Sequence, residues 1–379
     1  MENIIAKLQE RYAKEIEEKI YGYLDLVGKF PQLKIPLVDF FERGGKRFRP
    51  IMCLLSCELV GGDIEKALPV AASIEMFHNF SLIHDDIEDR GDLRRNKLAI
   101  HLSPLGDALS DMSHCPYCNS ITKSPDEADS VLKSMGVEKD DLSEPYGLSH
   151  AINSGDALMI LSLIAANDIH SSGVEEKRAI KAFETLIFGV LNVCVGQGRD
   201  IDSYEKIFSK NELSEEEVLK TLRLKTGSLI AAGCKASAII GGATDEEVDN
   251  LGKFCEYISL AFQLQDDILN IDIREDAYGK EVGGDIEEGK RTVITVHALG
   301  ELGEYDRELL LEILDKRNNT EEEKMVAIEI LRKSGAIDYA KEFENDLLKK
   351  AKDCLGIFPD SQARSDLLKL ADFLVGRGY

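Results

Sequence analysis

Two short acidic clusters stand inside apolar, helix-spaced stretches: His84-Asp85-Asp86-Ile87-Glu88-Asp89 and Gln265-Asp266-Asp267-Ile268-Leu269-Asn270. On an α-helix, residues four apart lie one above the other, so Asp85 projects with Asp89 and Asp266 with Asn270. Carboxylates held this close in apolar surroundings repel and desolvate one another unless a cation joins them. Oxygen donors of this kind suit Mg2+, which keeps part of its water and takes further ligands from substrate phosphates. Two such patches facing across a helical pocket would hold a diphosphate between them through metal ions. The plainer alternative is a solvated acidic helix face.

Basic residues flank the acidic clusters. Gly44-Gly45-Lys46-Arg47-Phe48-Arg49-Pro50 sets two small residues before Lys46 and Arg49. Glycine lets backbone approach a ligand, while Lys and Arg supply point-charge and forked donors to phosphate oxygens. Arg94-Arg95 follows the first cluster, and Lys225-Thr226 lies in an apolar helical stretch where a lone Lys often only snorkels. Residues 278–291 hold Gly279, Lys280, Gly283, Gly284, Gly289 and Lys290, a polar loop that reads as a lid or as an exposed connection.

The elements that must position these groups are helices. Ile5, Leu8, Tyr12, Ile16, Ile20, Tyr23, Leu24 and Val27 recur at helical spacing, and Ser214 with Glu217, Thr244 with Glu247 and Thr320 with Glu323 are capping-box signatures. No alternating β-branched run is long enough for a sheet, so the fold class is all-α. From about 102 to 145 the chain turns Ser-, Asp- and Pro-rich and reads as an insert. The chain's 379 residues suffice for one large domain or two. Its net charge of −24 excludes a nucleic-acid binder, which needs a basic stripe. No basic start with an apolar run opens the chain, and no uninterrupted apolar stretch reaches transmembrane length; Leu229 to Ala243, the nearest, reads as a core helix. A cytoplasmic protein whose scattered cysteines are buried thiols is expected.

In their order along the chain these motifs are highly specific. Gly44-Gly45-Lys46-Arg47-Phe48-Arg49-Pro50, Leu82 to Asp89, Leu93-Arg94-Arg95, Ala151-Ile152-Asn153-Ser154-Gly155-Asp156-Ala157-Leu158, Gly196-Gln197, Lys225-Thr226, Phe262 to Leu269 and Gly279-Lys280 together resemble the trans-isoprenyl diphosphate synthases, or polyprenyl synthetases. Within that family the segment from Ile74 to Asp85 resembles the short-chain geranylgeranyl diphosphate synthases of archaea. The resemblance covers nearly the whole chain outside the insert and includes Arg377 near its end. It implies one helical domain over 1–379 around a deep cavity, interrupted at about 102–145, and a homodimer that condenses isopentenyl diphosphate head-to-tail with dimethylallyl, geranyl or farnesyl diphosphate. Carried over by motif, it implies Asp85, Asp86, Asp89, Arg94, Lys225, Asp266 and Asp267 as catalytic residues, with Mg2+ on Asp85, Asp89 and Asp266. The allylic diphosphate would be held by those ions with Arg94, Lys225, Thr226, Gln263, Lys280 and Lys290. Isopentenyl diphosphate would sit on Lys46, Arg49, His78 and Arg95. His78, two helical turns before Asp85, can point into the same pocket; His84 and His101 have no such support.

Two departures from the family pattern stand out. Asn270 occupies the usual place of a third Asp in the second motif, and some relatives with degraded motifs are non-catalytic partner subunits. The insert carries His114-Cys115-Pro116-Tyr117-Cys118, a zinc half-site or redox motif that no second C-x-x-C completes, so a plain solvent loop is expected first. A terpene cyclase or a head-to-head synthase would share the aspartates but would not need Gly44 to Arg49. Product length is read from α-helix geometry. Ser81, Phe80 and Phe77 lie four, five and eight residues before Asp85, which places them roughly 6, 7.5 and 12 Å below the metal site. Small Ser81 leaves the upper level open, and Phe80 with Phe77 forms a floor unless both rings are ordinary core. The resemblance to archaeal short-chain enzymes then implies the twenty-carbon geranylgeranyl product, with fifteen-carbon farnesyl diphosphate as the alternative.

Overall fold

The computed structural model describes residues 4–28, 30–89, 91–95, 97–102, 144–205, 213–271, 283–316 and 319–376. Among these residues the chain is all-α, with one hairpin of two-residue strands. The bulk of the insert, with Cys115 and Cys118, lies outside the described residues, as do Lys280 and Arg377. The chain divides into two compact units, one of residues 1–54 with 63–183 and the other of 55–62 with 184–379.

In the first unit α1 (Ile4–Leu24) buries Leu8, Tyr12, Ile16, Ile20, Tyr23 and Leu24, the stripe its spacing predicts. Val27 lies beyond the helix end in a 3-10 turn, where Gly28 takes φ 73° and reverses the chain. Next come α2 (Pro31–Glu42) and α3 (Phe48–Leu59), whose residues from Leu55 on are counted with the second unit. At the centre is α4 (Ile64–Glu88), buried nearly all round and packed chiefly on α5 (Glu144–Asn167). Asp63 caps α4 by accepting the Glu65 N–H at 3.1 Å. Between α4 and α5, β1 (Leu93–Arg94) pairs antiparallel with β2 (Lys97–Leu98) in the register Arg94↔Lys97. Arg43 donates to the Leu98 carbonyl at 2.8 Å and Lys97 reaches Asp39 at 3.4 Å, so α2 anchors the hairpin that presents Arg94 and Arg95.

From α6 (Glu176–Glu205) the chain runs into the second unit, which contains α7 (Glu215–Leu222), a π-helical turn (Arg223–Gly227), α8 (Ser228–Gly241) and α9 (Asp245–Ile271). Then follow α10 (Gly284–Glu287), α11 (Val293–Glu301), α12 (Glu304–Lys316), α13 (Glu321–Lys333), α14 (Ala336–Cys354) and α15 (Gln362–Val375). The three capping boxes form as read, with Glu217, Glu247 and Glu323 each exchanging hydrogen bonds with the cap residue three positions before. The apolar stretch from Leu229 is the buried helix α8, and α9 packs chiefly on α14 and α8.

Two expectations need correction. Windows of α5 and α6, within 145–171 and 176–203, are long and apolar enough on length and composition to cross a membrane. Isolated polar residues such as Asn153 and Asp156 break the uninterrupted run without lowering the window average below that mark. Of the described cysteines Cys53, Cys57, Cys234 and Cys255 are buried, but Cys194 is exposed.

Candidate active site

The last turn of α4 holds Asp85 and Asp86, and Asp89 caps it, its N–H bonded to the Asp85 carbonyl at 2.8 Å. The three carboxylates differ. Asp85 and Asp89 are partly exposed, while Asp86 is 1% exposed and turned inward. Arg94 donates from Nε to Asp86 Oδ1 at 2.7 Å, pairs with it again through Nη2, and brings Nη2 within 3.8 Å of Asp85. Burial pushes the Asp86 carboxyl up and Arg94 pulls it part of the way back. Asp86 thereby orients Arg94, while Asp85 and Asp89 remain the accessible pair one turn apart. Among the described residues no three His, Cys, Asp or Glu side chains converge into a closed metal cage. An open pair of oxygen donors fits Mg2+ completed by water and phosphate.

On the same unit, four arginines gather around His78. Arg49 donates to His78 Nε2 at 3.0 Å. Burial, with Arg49, Arg95, Arg94 and Arg47 nearby, holds the imidazole pKa well below its ordinary value, so His78 is neutral. Arg95 donates to the Phe40 carbonyl and to Asn79 Oδ1, both at 3.2 Å, and lies over the Phe40 ring. Two of these residues, Arg47 (φ 48°) and Arg95 (φ 54°), hold left-handed backbone. Such strain, of the order of 1–2 kcal/mol each, persists only where side-chain bonds enforce it. Glu75 provides that hold. Its carboxylate, 3% exposed, accepts from Arg47 Nη1 at 2.9 Å and Asn79 Nδ2 at 3.2 Å. Arg47 also donates to the Phe41 carbonyl at 2.7 Å. Gly45, at φ 148°, lets the chain pass the guanidinium, since a Cβ there would stand 3.0 Å from Arg47 Nη1. Lys46 is exposed beside it. Sequence reading missed Glu75, Asn79 and the structural task of Arg47. A charged residue at 75, deep in an otherwise apolar helix, was the available signal.

In the second unit Asp266 is exposed on α9 and Asp267 is buried. Gln263 donates to Asp267 Oδ1 at 3.0 Å. Burial and the Asp285 charge push the Asp267 carboxyl well above its ordinary range. Each acidic motif therefore pairs an outward carboxylate with an inward one. Asn270 is a local anchor: its Oδ1 accepts the Asp285 N–H at 3.2 Å and its carbonyl accepts the Gly283 N–H at 2.9 Å. Lys290 pairs with Glu288 and lies 3.7 Å from Asp285. Lys225 and Thr226 ride the π-helical turn, where Lys225 Nζ meets Asp200 Oδ2 at 2.6 Å. Gly196 permits that turn, since a Cβ there would fall 2.2 Å from the Lys225 nitrogen. π-turns of this type recur at functional sites, and Asp200 was not anticipated. Of the residues expected to set product length, Phe77 and Phe80 are buried with ring centroids 5.0 Å apart, and Ser81 donates to the His78 carbonyl at 2.8 Å.

A family model described as polyprenyl synthetase matches residues 30–331. A short-chain isoprenyl diphosphate synthase of Methanothermobacter thermautotrophicus is 35% identical over 338 residues, 89% of this chain and 87% of the relative. The crystal structure of a geranylgeranyl pyrophosphate synthetase from Pyrococcus horikoshii aligns with TM-score 0.80 and 32% identity over 99% of this chain and 98% of that one. A polyprenyl synthase from Caulobacter crescentus, solved with calcium and isoprenyl diphosphate, aligns with TM-score 0.78 and 25% identity over 100% and 98%.

Proposed function

The chain belongs to the polyprenyl synthetase family, and we propose that this prenyltransferase is a Mg2+-dependent geranylgeranyl diphosphate synthase acting on isopentenyl and allylic diphosphates. One observation carries the reading. The first unit holds two groups of opposite chemistry, an accessible carboxylate pair (Asp85, Asp89) suited to a cation and an arginine cluster around neutral His78 suited to an anion. The two substrates need different treatment. The allylic one must lose its diphosphate, whereas isopentenyl diphosphate must keep its own.

Asp85, Asp89 and Asp266 would hold Mg2+, which supplies charge stabilisation for the diphosphate leaving group. Arg94, Lys225, Thr226, Gln263, Lys280 and Lys290 grip that same group. Asp86, Asp267 and Asp200 orient Arg94, Gln263 and Lys225. Lys46, Arg49, His78 and Arg95 bind isopentenyl diphosphate without metal. As the allylic C–O bond breaks, its electron pair leaves with diphosphate. The isopentenyl double bond supplies the pair for the new C–C bond, and the resulting tertiary cation loses a proton to the departed diphosphate, leaving a new allylic double bond. No side-chain base is required. Phe80 and Phe77 stop the tail at twenty carbons. Residues 1–379 act as one catalytic domain in a cytoplasmic homodimer. Exposed apolar rows on α5 (Leu148, Ile152, Ile160, Ile164) and on α6 (Phe188, Leu191, Val195) support that assembly.

Purified protein with radiolabelled isopentenyl diphosphate, farnesyl diphosphate and Mg2+ should give labelled twenty-carbon diphosphate on chromatographic sizing. No incorporation would refute the synthase reading and favour a non-catalytic subunit; a product that stops at fifteen carbons from shorter primers would favour the farnesyl alternative.

A further inference from the structure

His84 sits directly before the metal-binding type of motif, yet it serves neither diphosphate site. Its ring faces the other way, into the seam between α4 and α5. There Nε2 donates to the Ile152 carbonyl at 3.1 Å and lies 3.8 Å from Asp156 Oδ1. The imidazole fills a notch that exists because residue 155 is glycine. A Cβ built on Gly155 would stand 2.3 Å from Nε2 and 2.4 Å from Cδ2 of His84, inside the ring's own volume. The imidazole also meets Phe80 edge-to-face, with centroids 4.8 Å apart and planes at 70°. Phe80 in turn meets Phe77 edge-on at 5.0 Å and 64°. Phe77, Phe80 and His84 thus form a continuous ladder along one flank of α4, with a fixed stop at its upper end. Edge-to-face geometry is selective about ring placement, so a clamped imidazole restricts where the Phe80 ring can swing.

We propose that His84, seated in the Gly155 notch, is a specificity-determining positioning residue that fixes the depth of the Phe80 floor and hence product length. The inference rests on the reading of Phe80 as that floor, and adds that the floor's position is set from α5. Removing the imidazole opens a void beside Phe80, into which the ring can rotate, deepening the path for the growing tail. One methyl group at 155 has the converse relation. It is incompatible with His84, but it fits where the imidazole has gone and refills part of the void. Close-packed neighbours coupled through one space behave non-additively, which makes the pair testable as a cycle.

The experiment sizes the products of wild type, Phe80→Ala, His84→Ala, Gly155→Ala and the His84→Ala/Gly155→Ala double variant at equal low turnover, with half-saturating Mg2+ measured for each. His84→Ala should raise the share of products longer than twenty carbons several-fold at unchanged Mg2+ dependence, and Gly155→Ala in that background should bring the share back toward wild type. A His84 that merely ties two helices together would lower thermal stability without moving product length. If Phe80→Ala lengthens products and folded His84→Ala does not, the inference is overturned while the Phe80 reading stands. If neither variant lengthens them, both fall. Should His84→Ala not fold, Gly155→Ala alone decides, because a folded variant with displaced imidazole and wild-type product lengths would overturn the proposal.

Discussion

Glu75→Leu tests how the arginine cluster proposed to bind isopentenyl diphosphate is held. Glu75 and Arg47 are both buried, with side-chain exposures of 4% each, and the pair spans 2.9 Å. Replacing the carboxylate leaves the guanidinium with the Phe41 carbonyl and, at 3.8 Å, the half-exposed Glu17. Breaking one partner of a buried pair costs about 3–5 kcal/mol, because the remaining charge stays desolvated. With an unfolding entropy of about 2.1 cal/mol/K per residue, or about 0.8 kcal/mol/K for the chain, this corresponds to a Tm lower by about 4–6 °C. Asn79 loses an acceptor in the same substitution, so its hold on Arg95 slackens and KM for isopentenyl diphosphate should rise more than KM for the allylic primer. Replacing both partners, Glu75→Leu with Arg47→Met, should recover most of the stability, since an apolar pair of similar volume carries no desolvation cost. It should leave the raised KM in place. Differential scanning calorimetry with steady-state kinetics reads both effects. A Tm within about 1 °C of wild type for Glu75→Leu would refute the argument that a buried, mutually dependent pair sustains the left-handed Arg47.

Asp85→Ala or Asp266→Ala should cost about 2–4 kcal/mol of transition-state stabilisation, a fall of about 30- to 1,000-fold in kcat/KM; normal turnover by Asp85→Ala with Mg2+ would reject the metal assignment. Gly196→Ala should disrupt the π-turn and weaken allylic diphosphate binding through Lys225, seen as a raised KM for the primer; an unchanged KM would show that the turn absorbs the methyl group. Glu344 on α14 has its carboxyl pushed up to about 7 by burial, above its value in an unfolded chain. The folded form therefore prefers it protonated, and its destabilising effect grows as pH rises from about 4.5 to about 7 and is constant above that. Glu344→Gln should be increasingly more stable than wild type across that window in urea melts, and a pH-independent difference would contradict the shift.

The chain by itself determined its helices and its family. Periodicity located the buried stripe of α1, three S/T-x-x-E pairs located the starts of α7, α9 and α13, and the order of short motifs identified the family. These signals are legible because helical spacing and capping are local, acting over three or four residues. The aspartate pairs were legible for the same reason. Which member of each pair faces outward was not, since Asp85 and Asp86 are equivalent in sequence. Burial and Arg94, brought in by a hairpin too short to show as alternation, separate them. The tasks of Glu75, Asp200 and Gly196 were equally hidden, because each acts on a residue 25 or more positions away. Nothing local in the sequence gives a reason for Gly155. Packing supplies one, because only the meeting of α4 and α5 turns an absent side chain into room for His84. Long-range partners decide which polar groups are desolvated, and desolvation, rather than residue type, separates the buried carboxylates and arginines of this site from the exposed ones.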